Sequence, residues 1–323
     1  MTSYDDGAAA PSPASLGTTP APMLETVPLR HPWRWVSAVL VVAFLGFLAH
    51  SVIVNPEMRW DLVKQYLFDH DVLHGVLMTI ELTVGAMVIG IVLGVVIAVM
   101  RQSPNGVLQA AAGFYIWLFR GTPVLVQVLF WFYIPLVFKT FSLGIPFGHT
   151  FIAWDSTTVV TGTVAALLGL GLNEAAYMAE IVRAGLLSVD HGQSEAAAAI
   201  GMRRPQIMRR IVLPQAMRVI IPPVGNETIS MLKTTSIVIV VAGTELLSVV
   251  SVIYASNYQN IPLLLVATVW YVVLSSVLSV GQYFVERHYA RGAARAMTEP
   301  VLMRVARSVF TPTRRARLDG GGP

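Results

Sequence analysis

Long apolar runs recur along this chain at residues 35–54, 75–100, 106–138, 158–186, 216–247 and 261–284. Each matches or exceeds the roughly 20 residues that a helix needs to cross a bilayer core. Backbone polar groups find no water in lipid, so runs of this length are helices that satisfy their own hydrogen bonds. The expectation is an all-α integral membrane protein with about six transmembrane helices. Composition agrees: of 323 residues 55% are hydrophobic and only 12% charged, with a mean hydropathy of +0.65. A soluble protein of this size carries about twice that charge. The absence of cysteine excludes a disulfide framework, a thiolate metal site and a thiol nucleophile.

Between the runs the sequence changes character. Residues 1–29 are rich in Ala, Pro, Ser, Thr and Gly without periodicity, and are expected to be a disordered tail. The first span follows Arg30 and Arg34; a cleaved leader is the competing reading, since Ala49-His50-Ser51 loosely resembles a small-x-small site. Residues 55–74 are polar, with Trp60, Val63, Tyr66 and Leu67 at helical spacing. Gly90 and Gly94 in the second span form a small-xxx-small pair that lets helices approach closely. Arg120-Gly121-Thr122-Pro123 breaks the third run, because Pro123 pushes Thr122 out of helical geometry; a kink or an unwound stretch is expected there. Residues 139–157 read as an aromatic, glycine-bearing loop. The arginine-rich stretch from residue 287 onward reads as a basic tail, with an interfacial helix over residues 297–310.

Charge placement fixes a topology. Of the 22 Lys and Arg, 17 lie in segments on one side of the expected bilayer. Arg59, Lys64 and Lys139 lie opposite, and Arg120 and Lys233 lie within spans. The positive-inside rule then places both termini and the charged insert at residues 195–215 in the cytoplasm. Nothing gathers the basic residues onto an aromatic-studded face, so the net charge of +4 does not indicate nucleic acid.

That insert, EAAAAIGMRRPQIMRRIVLPQ, is soluble-looking sequence between apolar runs. Ala196 to Ala199 favour helix, Gly201 interrupts it, and Pro205 suits the first turn of a second helix. Two short helices meeting at a bend are expected, with Ile207, Met208, Ile211 and Val212 on one apolar face. An ordinary interfacial amphipathic helix is the plainer reading. Glu195-Ala196-Ala197, Gly201 and Ile211-Val212-Leu213-Pro214, at this spacing, resemble the EAA loop of type I ABC importer permeases. The segments FYIWLFRGTPVLVQVLFWFY and NETISMLKTTSIVIVVAGTEL extend the resemblance to the polar amino-acid uptake family, over residues 75–286.

The resemblance implies a domain organisation and a function. Residues 75–286 would form the type I permease core, residues 30–74 an extra N-terminal span and outer segment, and residues 287–323 a cytoplasmic tail. Glu195, Ala196, Ala197, Gly201, Met202, Arg203 and Pro214 would form the helix that couples to a separate ATPase. The chain would bind no cofactor or metal itself; ATP and Mg would be used by that partner. Other implied partners are an extracytoplasmic solute-binding protein and a second permease subunit, either a copy or a sister chain. Polar amino acid and membrane lipid complete the set, and localisation would be the plasma or inner membrane.

The polar residues within the spans suit a zwitterion, which needs partners of both signs along a desolvated route. Glu174, Glu180 and Glu227 could meet an ammonium; Arg120 or Lys233 could meet a carboxylate; Gln127, Asn173, Asn226, Thr235 and Ser236 could turn to either. Asn173, Tyr177 and Glu180 share one helical stripe with Glu174 at its margin; Asn226, Ser230 and Lys233 share another, flanked by Glu227 and Thr234. A carboxylate facing lipid at mid-bilayer would cost about 2.5–3.5 kcal/mol, so these stripes face protein or water. Charge pairing that merely holds helices in register is the alternative for each ion. No metalloprotease, hydrolase or nucleotide-binding motif is present, so the chain is not expected to be an enzyme. An ion-coupled secondary transporter would use the same glutamates but leaves the EAA spacing unexplained.

Overall fold

The structure is a computed structural model that describes residues 32–145, 149–241 and 243–289; the expectations for residues 1–29 and 297–310 lie outside them. The chain divides into two compact units, Met1–Pro56 and Glu57–Pro323. In the first, helix α1 (Pro32–Val54) presents apolar side chains all round, as a helix surrounded by lipid does.

The second unit is a helical bundle. A short amphipathic helix, α2 (Trp60–Leu67), precedes the 32-residue α3 (His70–Arg101), whose start is capped by the Asp69 carboxylate accepting from the Asp71 amide. Then come α4 (Gly106–Gly121) and α5 (Val124–Val137), a β-ribbon of β1 (Thr140–Gly144) and β2 (Thr150–Asp155), and the single turn α6 (Ser156–Val159). Helix α7 (Gly162–Leu187) leads into α8 (His191–Ala199) and α9 (Arg204–Ile207). A π-turn, Met208–Val212, runs directly into α10 (Leu213–Thr234). A 3-10 stretch, Thr235–Val241, follows, then α11 (Leu246–Asn257) and α12 (Asn260–Tyr289).

Four of these helices are long and apolar enough to cross a membrane unaided: α1 from Val36, α3, α7 and α12. Two bent pairs, α4 with α5 and the α9–α10 segment with α11, raise the number to six. The expected six spans are reached when each bent pair is counted as one broken span. The break between α4 and α5 is far sharper than a kinked span, at 104°. Amide side chains make it tolerable in an apolar setting. Gln127 Nε2 donates to the Phe119 carbonyl (2.9 Å), the Thr122 carbonyl (3.1 Å) and Thr122 Oγ1 (2.8 Å), and Asn173 Nδ2 donates to the same Phe119 carbonyl (2.9 Å). Carbonyls that an unbroken helix would have bonded are satisfied from the side.

The fifth span also differs from the continuous helix expected over residues 216–247. Glu245, expected near its end, is fully buried and begins α11 instead. Its carboxylate accepts from the Leu247 amide (2.9 Å), the Ser248 amide (2.7 Å), Ser248 Oγ (2.8 Å) and Tyr271 Oη (2.8 Å). An N-cap with four donors outweighs the apolar character of the sequence around it. Residues 248–257, expected as loop, are helix.

Small residues set the packing. A Cβ built on Gly90 would lie 2.6 Å from Glu174 Cγ, and one on Gly94 would collide with Met178 Cβ. The small-xxx-small pair thus brings α3 against α7. One core joins Leu82 and Met87 of α3, Val128 of α5, Leu170 and Met178 of α7, and Met231 and Val238. A second joins α2, α3, α11 and α12 through Val63, Val72, Leu246 and Leu263.

Candidate functional site

Two assemblies carry the chemistry of the second unit: a polar cavity among α5, α7 and α10, and the exposed bend between α8 and α9.

The cavity encloses about 270 Å³. Helix α7 contributes Asn173, Glu174 and Tyr177, helix α10 contributes Glu227, Ser230 and Thr234, and Val124, Leu170 and Met231 supply apolar walls. Glu174 is 4% exposed, and its Oε1 is buried without a hydrogen-bond partner. The space that its stem occupies exists because Gly90 has no side chain. Glu227 lines the same cavity from α10, so two carboxylates face one small volume, and none of its lining residues is basic. Thr234 Oγ1 donates back to the Ser230 carbonyl, which leaves its oxygen as an acceptor. Acceptors therefore dominate this site. Arg120 stands on the ring of one lining residue, its guanidinium carbon 5.1 Å from the centre of Tyr177.

Of the residues expected on a pathway, the structure gathers Asn173, Glu174 and Glu227 here and places Arg120 one ring away. The others lie elsewhere. Gln127 is committed to the α4–α5 break. Glu180 is paired with Arg183, Nη2 to Oε2 at 2.7 Å, one turn along its own helix, rather than with Arg120 or Lys233. Asn226 Oδ1 accepts from Gln282 Nε2 of α12 (3.1 Å). Thr235 is buried and donates to the Leu232 carbonyl (2.7 Å). Lys233 and Ser236 line a different, mostly apolar crevice of about 380 Å³, together with Tyr271 and Ser275. The cavity also draws in Tyr177, Ser230 and Thr234, which the sequence places on or beside the same polar stripes without a role on the pathway. Their spacing marks them: Tyr177 lies four residues from Asn173, Ser230 three from Glu227 and Thr234 seven from Glu227, each on the same helix.

At the second assembly α8 ends in a Schellman closure. The Gly201 amide donates to the Ala198 carbonyl (2.9 Å) and the Met202 amide to the Ala197 carbonyl (3.1 Å). Gly201 adopts φ +83°, a left-handed conformation that other residues enter only with strain. The Arg203 amide then donates to Gln206 Oε1 (2.9 Å), opening α9 with Pro205 in its first turn. The second helix is not a separate short element: it continues through the π-turn into α10, so Pro214 sits inside a continuous helical path. Ala197 and Ile207 are buried, whereas Glu195, Ala196, Gly201 and Arg203 are exposed and Met202 half-buried. Ile200 stands at the bend 80% exposed. Sequence reasoning missed this residue, because an isoleucine between a helix and a glycine reads as core. The basic side of the element is an open hollow between Pro205, Gln206, Arg209 and Arg210.

The family described as "Binding-protein-dependent transport system inner membrane component" matches residues 90–291. The chain is 45% identical over 296 residues to the arginine transport system permease protein ArgU of Corynebacterium glutamicum, covering 91% of this chain and 92% of that protein. It is 33% identical over 247 residues to the L-cystine transport system permease protein TcyB of Bacillus subtilis, covering 76% and 97%. Among solved structures, an amino acid ABC transporter crystallised with histidines superposes with a TM-score of 0.58 at 33% identity, over 68% of this chain and 94% of that one. The broken spans, the close α3–α7 contact and the exposed α8–α9 bend are thus carried by a sequence that belongs to the inner-membrane permease family of binding-protein-dependent ABC importers, a transport subunit and not an enzyme.

Proposed function

We propose that this permease subunit conducts a cationic amino acid, of which arginine is the type, and that Glu174 and Glu227 receive its charged side chain. The observation that carries this reading is the cavity of about 270 Å³ with two carboxylates and no basic lining residue. A guanidinium presents five N–H donors in a plane, which matches a site made of carboxylate, amide and hydroxyl acceptors. Arg120, held over Tyr177 beside the cavity, is the group nearest to hand for the substrate carboxylate. The relative of highest identity reported above transports arginine, and the family implies a partner ATPase and a binding protein.

In this scheme the binding protein delivers the amino acid on the face opposite the insert, and the ATPase, using ATP and Mg, closes beneath α8 and α9. The positive-inside rule supports a cytoplasmic location for that bend and for both termini. Motion at residues 195–214 enters α10 through the π-turn and reaches Glu227 on the same helix. Gln127, Asn226, Thr235 and Ser236 serve the frame of the pathway, and Lys233 faces a crevice outside the cavity.

The test is uptake of labelled arginine by proteoliposomes carrying this chain with its ATPase and binding protein, in competition with lysine, glutamate and glutamine. Arginine and lysine should compete and glutamate should not. Glu227→Gln should lower arginine uptake by roughly tenfold to a hundredfold, the loss of one charge-assisted contact of about 1.5–3 kcal/mol. Glutamate uptake equal to that of arginine would overturn the substrate, and uptake on an ion gradient without ATP would overturn the mechanism.

A further inference from the structure

Residues 139–156 leave α5 and return to α6 as a two-stranded ribbon tied at its base. The Ser156 amide (3.1 Å) and Ser156 Oγ (2.9 Å) both donate to the Lys139 carbonyl. The register pairs Thr140 with Asp155, Phe141 with Trp154 and Ser142 with Ala153. Directly paired residues share a face and neighbours alternate, so Phe141, Ile152 and Trp154 lie on one side. Thr140, Ser142, Ala153 and Asp155 lie on the other. The Phe141–Ile152–Trp154 face is apolar, with Ile152 50% and Trp154 47% exposed, and Phe151, 68% exposed, is the extra residue at the bulge between the Leu143–Ile152 and Gly144–Thr150 pairs. A lone two-stranded ribbon is marginal in water and needs its apolar face covered.

The surroundings identify the cover. Leu136, Val137 and Phe138, at the end of α5, are 76%, 74% and 55% exposed and lead straight into β1. This is surface of the kind that meets acyl chains. Lys139 follows at the root of the ribbon, where its stem can lie along apolar surface while its ammonium reaches phosphate. Tryptophan favours the membrane interface for the same mixed character. Hydrogen bonds from the Thr157 hydroxyl and amide hold the Asp155 carboxyl below the usual carboxylate range, so the opposite face stays charged and wet.

We propose that this ribbon is an interfacial anchor, lying in the headgroup boundary of the leaflet opposite the coupling bend with Phe141, Ile152 and Trp154 towards the acyl chains. Helix α7, 26 residues long, separates ribbon from bend and sets them on opposite sides of the bilayer. The occupant is phospholipid. The inference rests on α7 crossing the membrane and not on which amino acid is carried.

Because the chain contains no cysteine, single labels can be placed at Ile152→Cys and Ala153→Cys, adjacent residues on opposite faces. Each full-length variant, with its ATPase partner, is nitroxide-labelled in nanodiscs of phosphatidylcholine and phosphatidylglycerol. The label at 152 should collide mainly with oxygen, which concentrates in lipid, and the label at 153 mainly with a water-soluble nickel chelate. Equal access of the chelate to both sites would overturn the proposal and leave the ribbon in water. Shielding of 152 from both reagents would also overturn it, in favour of a protein on that face. Uptake in both variants should equal that of the unsubstituted chain, which separates a local misfold from a true topographic result and leaves the substrate assignment untouched.

Discussion

Glu174 shows what a single residue can reveal about a buried site. A carboxylate 4% exposed with an unpartnered Oε1 is the group that the proposed substrate contact would satisfy. Glu245, buried to the same degree, has four donors and is structural. The sequence presents both as glutamates in apolar runs and does not separate them, because the difference lies in donors from other segments. Glu174→Gln should therefore leave the thermal midpoint within a few degrees of the parent while lowering arginine uptake, since it removes charge but no protein contact. Glu245→Ala should do the reverse first: loss of a buried cap costs about 2 kcal/mol and appears as a lower midpoint in a thermal melt. Gly201 belongs to this scale too. Nothing lies within 4 Å of a Cβ built there, so space permits a side chain and only φ +83° resists it. Gly201→Ala should cost about 1 kcal/mol of local stability, seen as lower ATPase stimulation by substrate with unchanged expression.

At the scale of elements, the breaks are more informative than the helices. The long spans α3, α7 and α12 were legible from hydropathy and length; Gly90 and Gly94 marked a close helix approach, but that the partner is α7 came only with the fold. The break at Thr122–Pro123 was legible as a break but not as a 104° turn. Its angle depends on Gln127 and Asn173, whose roles as donors to Phe119 and Thr122 need the fold to be known. The division of the fifth span was hidden for the same reason, since the cap that starts α11 relies on Tyr271 of α12. A ribbon in residues 140–155 was unreadable from a short, mixed stretch. The α3–α7 contact makes a clear prediction. Gly90→Ala places a methyl 2.6 Å from Glu174 Cγ, whereas Gly106→Ala meets nothing within 4 Å. The first should cost about 1–3 kcal/mol as overpacking and lower uptake with it; the second should be neutral in both a thermal melt and a transport assay.

For the whole molecule the question is how the α8–α9 bend would govern the cavity under the proposed function. The answer available in this fold is one continuous path: α8, the Gly201 turn, α9, the π-turn and α10, which carries Glu227 in its second half. Pro222 and Pro223, which have no N–H to donate, lie midway along α10, and Gln282 of α12 donates to the Pro222 carbonyl at 3.2 Å. In the proposed scheme the outer end of the path is where the ATPase docks. Ile200, 80% exposed at the tip, is the large apolar side chain that such docking would cover. In a docked ATPase it would be the buried anchor, with Glu195 and Arg203 as its polar rim. Ile200→Asp should weaken ATPase retention by about 2 kcal/mol, roughly thirtyfold in Kd, measured by titrating the ATPase onto the detergent-solubilised permease. Arginine binding to the isolated permease should survive that substitution, because Ile200 and Glu227 lie at opposite parts of the path. Loss of both together would mean that the bend holds the cavity open rather than merely receiving the motor, and unchanged retention would move the docking surface to the hollow beside Arg209 and Arg210.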